Sequence, residues 1–231
     1  MSTPEKTIVI AVDGTSGSGK SSTSRGVAAE LGLRYLDTGA MYRAMTWWML
    51  SHDVDVFDAA AVAARVEEPV ITSGTEPLGP TISLDGEDVA EPIRSDRVNA
   101  HVSPVATVPQ VRARLIALQR AEIEKALAAG VGIVVEGRDI GTAVWPEADL
   151  KLYVTADPAA RAARRALEEG GTDAAAVQAS LESRDQIDST RGGLAVPEGA
   201  THLDTTPYTL DEVIAQVVAL AERACAEKIE A

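Results

Sequence analysis

Gly14 to Ser21 reads GTSGSGKS, and what these residues do decides how the rest of the chain is read. They fit the spacing G-x-x-x-x-G-K-[ST], which carries meaning only where a strand leads in and a helix leads out. Both are predicted. Lys6 to Val12, KTIVIAV, is a β-branched apolar run that reads as a strand buried on both faces of a parallel sheet. Lys20 to Leu31 carries Val27, Ala28 and Leu31 at helical spacing and stops at Gly32. The bare backbone between them lets successive N–H groups curl around a phosphate, and the helix start adds roughly half a positive charge. Lys20 would bridge the outer phosphates, and the Ser21 hydroxyl would reach Mg2+. Gly14, Thr15, Ser16, Gly17, Ser18, Gly19, Lys20, Ser21 and Ser22 are therefore the predicted nucleotide-binding residues. A flexible Gly/Ser linker, the alternative for such a composition, has no need of a strand before it and a helix after it.

The 231 residues suffice for one domain with insertions. Cys225 is the only cysteine, so no intrachain disulfide forms, a thiolate metal site is excluded, and a reducing cytoplasmic compartment is expected. No run of about 18 apolar residues occurs. The opening MSTPEKTIVIAVDG meets charge and glycine too soon for a signal peptide, so neither a membrane span nor export is expected. The formal net charge of -14 argues against binding a nucleic-acid polymer, which needs a basic face. A small anionic substrate is compatible with it, provided that the scarce cations converge.

Along the chain, Leu33 to Leu36 is a second short strand and Ala40 to Ser51 a helix whose Trp47 and Trp48 read as packing residues. From Glu67 to Val102, prolines and glycines interrupt short β-like pieces, the mark of an antiparallel insertion. Val108 to Ala129 is a long helix opened by Pro109. Gly132 to Val135 and Lys151 to Thr155 are further strands, and Ala159 to Glu169 is a helix with Arg161, Arg164 and Arg165 on its polar face. Thr172 to Ser189 is charged and weakly amphipathic, a short strand follows near His202 to Asp204, and Thr209 with Glu212 caps the final helix. Alternating strands and helices predict an α/β fold, a parallel sheet covered on both faces.

Phosphate cradles serve GTPase switches, ATP-driven motors and small-molecule kinases alike. The guanine-binding N-K-x-D stretch is absent and a motor usually wants a longer chain, which leaves a kinase for something small. Three more stretches bear on the acceptor: D-T-G-A-M-Y-R at Asp37 to Arg43, E-G-R-D-I-G at Glu136 to Gly141, and R-D-Q-I-D-S-T-R at Arg184 to Arg191. With the glycine loop and L-D-G-E-D-V at Leu84 to Val89, they resemble the bacterial cytidylate kinase family over nearly the whole chain.

That resemblance implies a P-loop NTPase-type domain over residues 1–231, with an NMP-binding insertion at about 67–102 and an arginine-rich lid at about 159–192. It implies phosphoryl transfer from ATP to CMP or dCMP with Mg2+ as cofactor, by a monomer without nucleic-acid or membrane partners. Carried over by residue, Thr38, Arg43 and Arg138 would hold the acceptor phosphate. Ser103, Arg112 and Asp139 would read the cytosine, and Asp188 with Arg191 would reach the sugar. Arg161, Arg165 and Arg184 would close over the transferring group, joining Lys20, Arg138 and Arg191 as the catalytic set. Thr38 stands where serine is also common and Glu136 where aspartate is frequent, and both keep the functional group.

The chemistry of the residues agrees. Phosphoryl transfer spreads negative charge over equatorial oxygens, and fork-shaped guanidinium groups meet it better than ammonium groups do. Cytosine offers an exocyclic amino donor that Asp139 or Ser103 could accept, whereas uracil presents a carbonyl there. Read from spacing alone, the arginines at 161, 164 and 165 also fit a solvated charged face, and Asp139 also fits a turn cap. His52, His101 and His202 show no ligand spacing and read as surface or packing residues. The loop Thr205-Thr206-Pro207 is a candidate for adenine contacts.

Overall fold

The computed structural model describes residues 7–168, 178–179, 185–186 and 195–230, with the backbone alone at 165, 167, 168, 229 and 230. The chain runs through β1 (Val9–Gly14), α1 (Lys20–Leu31), β2 (Arg34–Asp37), α2 (Thr38–Ser51) and a short α3 (Ala59–Ala64). It continues through β3 (Ile71–Ser73), β4 (Ile82–Leu84) and β5 (Glu87–Asp88) to a 3-10 turn at Pro92–Arg94. Helices α4 (Asp96–Ala106) and α5 (Pro109–Ala128) lead to β6 (Ile133–Glu136), one π-helical turn at Ile140–Val144, and β7 (Leu150–Thr155). The last described elements are α6 (Pro158–Glu168), β8 (Thr201–Asp204) and α7 (Leu210–Glu230).

The strands form a five-stranded parallel sheet in the order β2-β6-β1-β7-β8 and a separate antiparallel sheet β3-β4-β5. β1 lies in the middle and is buried along its whole length. Its side chains alternate between two apolar cores: Val9 and Ala11 join the cluster built with α2, α4 and α5, and Ile10 and Val12 join the one built with α1 and α7. Burial on both faces explains why β1 shows a continuous apolar run instead of an alternating one. Val213, Val217 and Ala221, spaced four apart on α7, are buried in the second cluster. The expected cap of α7 is present, with Glu212 accepting from the Thr209 amide at 2.8 Å.

The antiparallel strands occupy only part of the stretch expected to hold them. After β5 the chain becomes helical, and α4 starts at Asp96 and contains Pro104. Val98 and Val105, two turns apart, are buried against the first core, and that burial outweighs the helix-breaking tendency of the proline. The β4–β5 hairpin turns on Asp85 and Gly86, whose φ values of 54° and 90° match a two-residue turn with both central residues left-handed. α3, also not foreseen, is closed at its start by Asp58, which accepts from the Ala60 and Ala61 amides.

Trp48 packs as expected: its indole N–H donates to Asp85 at 3.2 Å, and its ring stacks on His52 at 4.0 Å. His101 lies edge-on to Phe57, and His202 lies beside Tyr153. Among the described residues no helix is long and apolar enough to cross a membrane.

Candidate active site

β1 delivers the chain to the carboxyl edge of the sheet, where the glycine loop turns it into α1. Gly14 has φ of +140°, and a Cβ there would meet the Val154 carbonyl oxygen of β7 at 2.0 Å, so no side chain fits at the loop's first residue. Gly19 caps α1 in the left-handed conformation. The Ser18 hydroxyl donates to the Thr15 carbonyl at 2.9 Å, and the Lys20 ammonium folds back to the same carbonyl at 2.5 Å. The loop is therefore held from within, and its helix start and lysine supply positive charge to one place.

That place opens into a cleft of about 280 Å³. Of the predicted residues, Ser16, Gly17, Gly19, Lys20, Ser21 and Ser22 line one part of it, and Thr38, Arg43, Ser103, Arg112, Arg138 and Asp139 line the rest. Gly14, Thr15 and Ser18 do not line it; Gly14 and Ser18 are buried behind the loop. Asp37, Tyr42, Arg94 and Glu136 also form its wall.

Each acceptor-side group is held by a different element. The Thr38 hydroxyl, at the start of α2, donates to the Glu136 carbonyl at 2.7 Å, tying α2 to the end of β6. Arg43 on the same helix donates to Asn99 of α4 at 2.5 Å. Arg112 of α5 forms an ion pair with Asp139, which is 8% exposed and immediately precedes the π-helical turn. A carboxylate aimed by a guanidinium in this way still has lone pairs to offer an amino group. Arg94, at the end of the 3-10 turn, stands 3.8 Å from Asp37.

A second knot joins the loop to α6. Arg161 donates to the Ser16 carbonyl at 3.0 Å and to Asp185 at 2.5 Å, while Arg138 donates to the other Asp185 oxygen at 3.0 Å. That oxygen also accepts from the Ser16 amide at 3.2 Å. Arg161 is thus buried and paired, not part of a solvated face. Arg164 grips Thr205 through its hydroxyl and carbonyl, both at 2.8 Å, and the Thr205 hydroxyl donates to the Ser18 carbonyl at 2.9 Å. Thr205 therefore turns inward and braces the loop. The Arg165 side chain and the residues Arg184, Asp188 and Arg191 lie outside the described residues.

The electrostatics follow from burial. Desolvation, with the Arg138 charge nearby, pushes the Lys20 ammonium below its usual range. Desolvation, with the Asp37 charge nearby, pushes Glu136 up. Asp13, also buried, is raised to about 6. Ser21 donates to one Glu136 oxygen at 2.7 Å, and the Tyr35 hydroxyl also acts on the same carboxyl. The Ser21 hydroxyl at the start of α1 and the Glu136 carboxylate at the end of β6 are hard oxygens that fit a divalent cation whose remaining ligands are phosphate and water. No cluster of three or more His, Cys, Asp or Glu side chains suited to a metal exists among the described residues.

Tyr42 and Asp185 lie inside stretches that the sequence flags, yet only tertiary contacts reveal what they face. Arg94 and Asp13 had no signal beyond their residue type.

A parallel sheet whose central strand runs through a glycine loop into a helix, beside a cleft lined with guanidinium groups, defines an α/β phosphate-binding protein of the P-loop class. The family model for cytidylate kinase matches residues 10–223, and the chain belongs to that family. It is 53% identical over 222 residues to the cytidylate kinase of Streptomyces griseus, covering 95% of each chain. It is 54% identical over 223 residues to that of Streptomyces coelicolor, covering 96% of this chain and 95% of the other. A solved structure from Thermus thermophilus shares the fold with a TM-score of 0.50 at 19% identity, covering 94% of this chain and 97% of that one.

Proposed function

We propose that this chain is a nucleoside monophosphate kinase that moves the γ-phosphoryl group of ATP to CMP or dCMP, giving ADP and CDP or dCDP. The observation that carries this reading is the shared cleft, with Lys20 and the glycine loop at one side and Thr38, Arg43 and the Arg112–Asp139 pair at the other. A phosphate oxygen of the acceptor attacks the γ-phosphorus. The bond from that phosphorus to the bridging oxygen breaks, and its electron pair leaves with ADP. No strong base is needed, because the attacking oxygen is already anionic.

The residues take their roles by position. Loop amides and Lys20 hold the donor phosphates. Thr38, Arg43 and Arg138 hold the acceptor phosphate, while Asp139, aimed by Arg112 and flanked by Ser103, accepts from the cytosine amino group. Arg161, with Arg165, Arg184 and Arg191, meets the charge that develops in transfer, and Asp188 with Arg191 reaches the sugar. Ser21 and Glu136 would hold Mg2+, which when bound neutralises charge on the outer phosphates. In this reading residues 67–102 serve the acceptor, 159–192 close over both nucleotides, and the chain acts as a cytoplasmic monomer.

An ADP-release assay across CMP, dCMP, UMP, AMP and no acceptor tests the proposal. Turnover with CMP and dCMP well above the other arms is expected. A different preferred acceptor would replace it with another small-molecule kinase, and hydrolysis indifferent to acceptor would replace it with a nucleotide-driven switch.

A further inference from the structure

Asp13 is the one charged residue of the central strand, and it has no role in the reading above, on which the present inference rests. Its side chain is fully buried. One oxygen accepts the Ile140 amide at 2.7 Å and the other accepts the Gly141 amide at 2.8 Å. These two amides open the π-helical turn that starts beside Asp139. The segment leading into that turn is fixed by the Gly137 amide, which donates to the Val12 carbonyl at 3.0 Å. The stretch from Gly137 to Gly141, which bears Arg138 and Asp139, is therefore pinned at both ends to consecutive residues, Val12 and Asp13, immediately before the glycine loop.

The chemistry selects for a carboxylate here. A side chain this short can take two neighbouring amide hydrogens on two separate oxygens only as aspartate, because asparagine presents a donor in place of one acceptor. The charge is held under unfavourable conditions, since burial raises the Asp13 carboxyl and the Asp139 charge adds to that effect. The turn is also crowded: a Cβ on Gly137 would come within 2.7 Å of the Thr38 hydroxyl, and one on Gly141 within 2.9 Å of Pro197. A slip of the turn has little room except by losing its hold on Asp13.

We propose that Asp13 is a positioning residue for acceptor selectivity: by gripping the Ile140 and Gly141 amides it aims Asp139 at the base and keeps that aim in register with the glycine loop. Asp13 touches neither nucleotide and acts through Asp139.

The test is steady-state kinetics on Asp13→Asn, Asp139→Asn and the double variant, with CMP and UMP as acceptors. Asp13→Asn should raise the KM for CMP about tenfold, leave the KM for ATP within about twofold, and cut CMP-over-UMP discrimination at least fivefold, a loss of the order expected when one buried hydrogen bond goes unmade. The double variant should discriminate no worse than Asp139→Asn alone. Discrimination unchanged in Asp13→Asn, or losses that multiply in the double variant, would overturn the proposal. If Asp13→Asn does not fold, amide exchange in the unmodified protein decides: CMP alone should slow exchange at Ile140 and Gly141, and no slowing would overturn it. Failure of the unmodified protein to prefer CMP would instead remove the kinase reading itself, so the two failures are distinct.

Discussion

Replacing Gly14 by alanine probes whether the sheet itself aims the phosphate loop. At this residue φ is +140°, and a Cβ would stand 2.0 Å from the Val154 carbonyl oxygen and 2.9 Å from the Val154 carbonyl carbon and nitrogen. Those are backbone atoms of β7, paired with β1 in a register that sets Gly14 against Val154, so they cannot swing aside as a side-chain end would. The backbone conformation costs a non-glycine residue about 1–3 kcal/mol, and overfilling a packed interior costs about 1–3 kcal/mol more. For a chain of this length about 1 kcal/mol lowers Tm by about 2–4 °C, so a fall on the order of 10 °C is expected. Gly19→Ala is the control. There φ is +86°, but the added Cβ would meet only the Arg164 guanidinium at 3.6 Å, an ordinary contact. Its cost is the left-handed conformation alone, about 1–2 kcal/mol, and a drop of a few degrees. Thermal unfolding followed by circular dichroism reads both. A Gly14→Ala protein melting within about 2 °C of the unmodified chain, or no lower than Gly19→Ala, would refute the claim that contact with β7 fixes the loop.

Two further outcomes follow from the carboxylates Asp185 and Asp13. Asp185→Asn removes the charge that bridges Arg138 and Arg161; hydrogen bonds to charged groups contribute about 1.5–3 kcal/mol, so kcat should fall about 10- to 100-fold with both KM values within about threefold, and an unchanged kcat would count against the bridge. Asp13 is raised from 3.8 to about 6, so the folded state binds its proton more tightly than the unfolded chain does. The resulting stability, about 3 kcal/mol in full, is present below the unfolded value and lost as pH rises through about 6. Denaturant titrations of the unmodified protein against Asp13→Asn should show the difference shrinking by about 1 kcal/mol between about pH 5 and pH 7.5, and a flat difference would rule the linkage out.

The parallel core was legible because a strand buried on both faces carries an unbroken apolar run, as β1 does, and because glycine, lysine and serine spacing has a physical meaning between strand and helix. The two unforeseen helices were hidden for opposite reasons. Alanine-rich α3 has too few apolar landmarks to show a period, and α4 contains a proline that local rules read as a break. Within the site, most residues that line the cleft could be named from their motifs or from the family resemblance, Arg94 being an exception, but the ones that hold them could not. Arg43 meets Asn99 from another helix, and Asp13 meets amides 127 and 128 residues away. Such pairings depend on which strands lie side by side, which spacing along the chain does not encode.

The same pairings explain how a chain of net charge -14 accepts nucleotides at all. Its long-range field repels anions, but salt screens that field beyond about 10 Å, so close cations decide binding. Lys20, Arg43, Arg94, Arg112 and Arg138 line one cleft, and contacts with Thr15, Asn99, Asp37, Asp139 and Asp185 orient them there. Guanidinium groups already held in place need no reorganisation when charge develops, which makes them more effective than the same number of mobile ones.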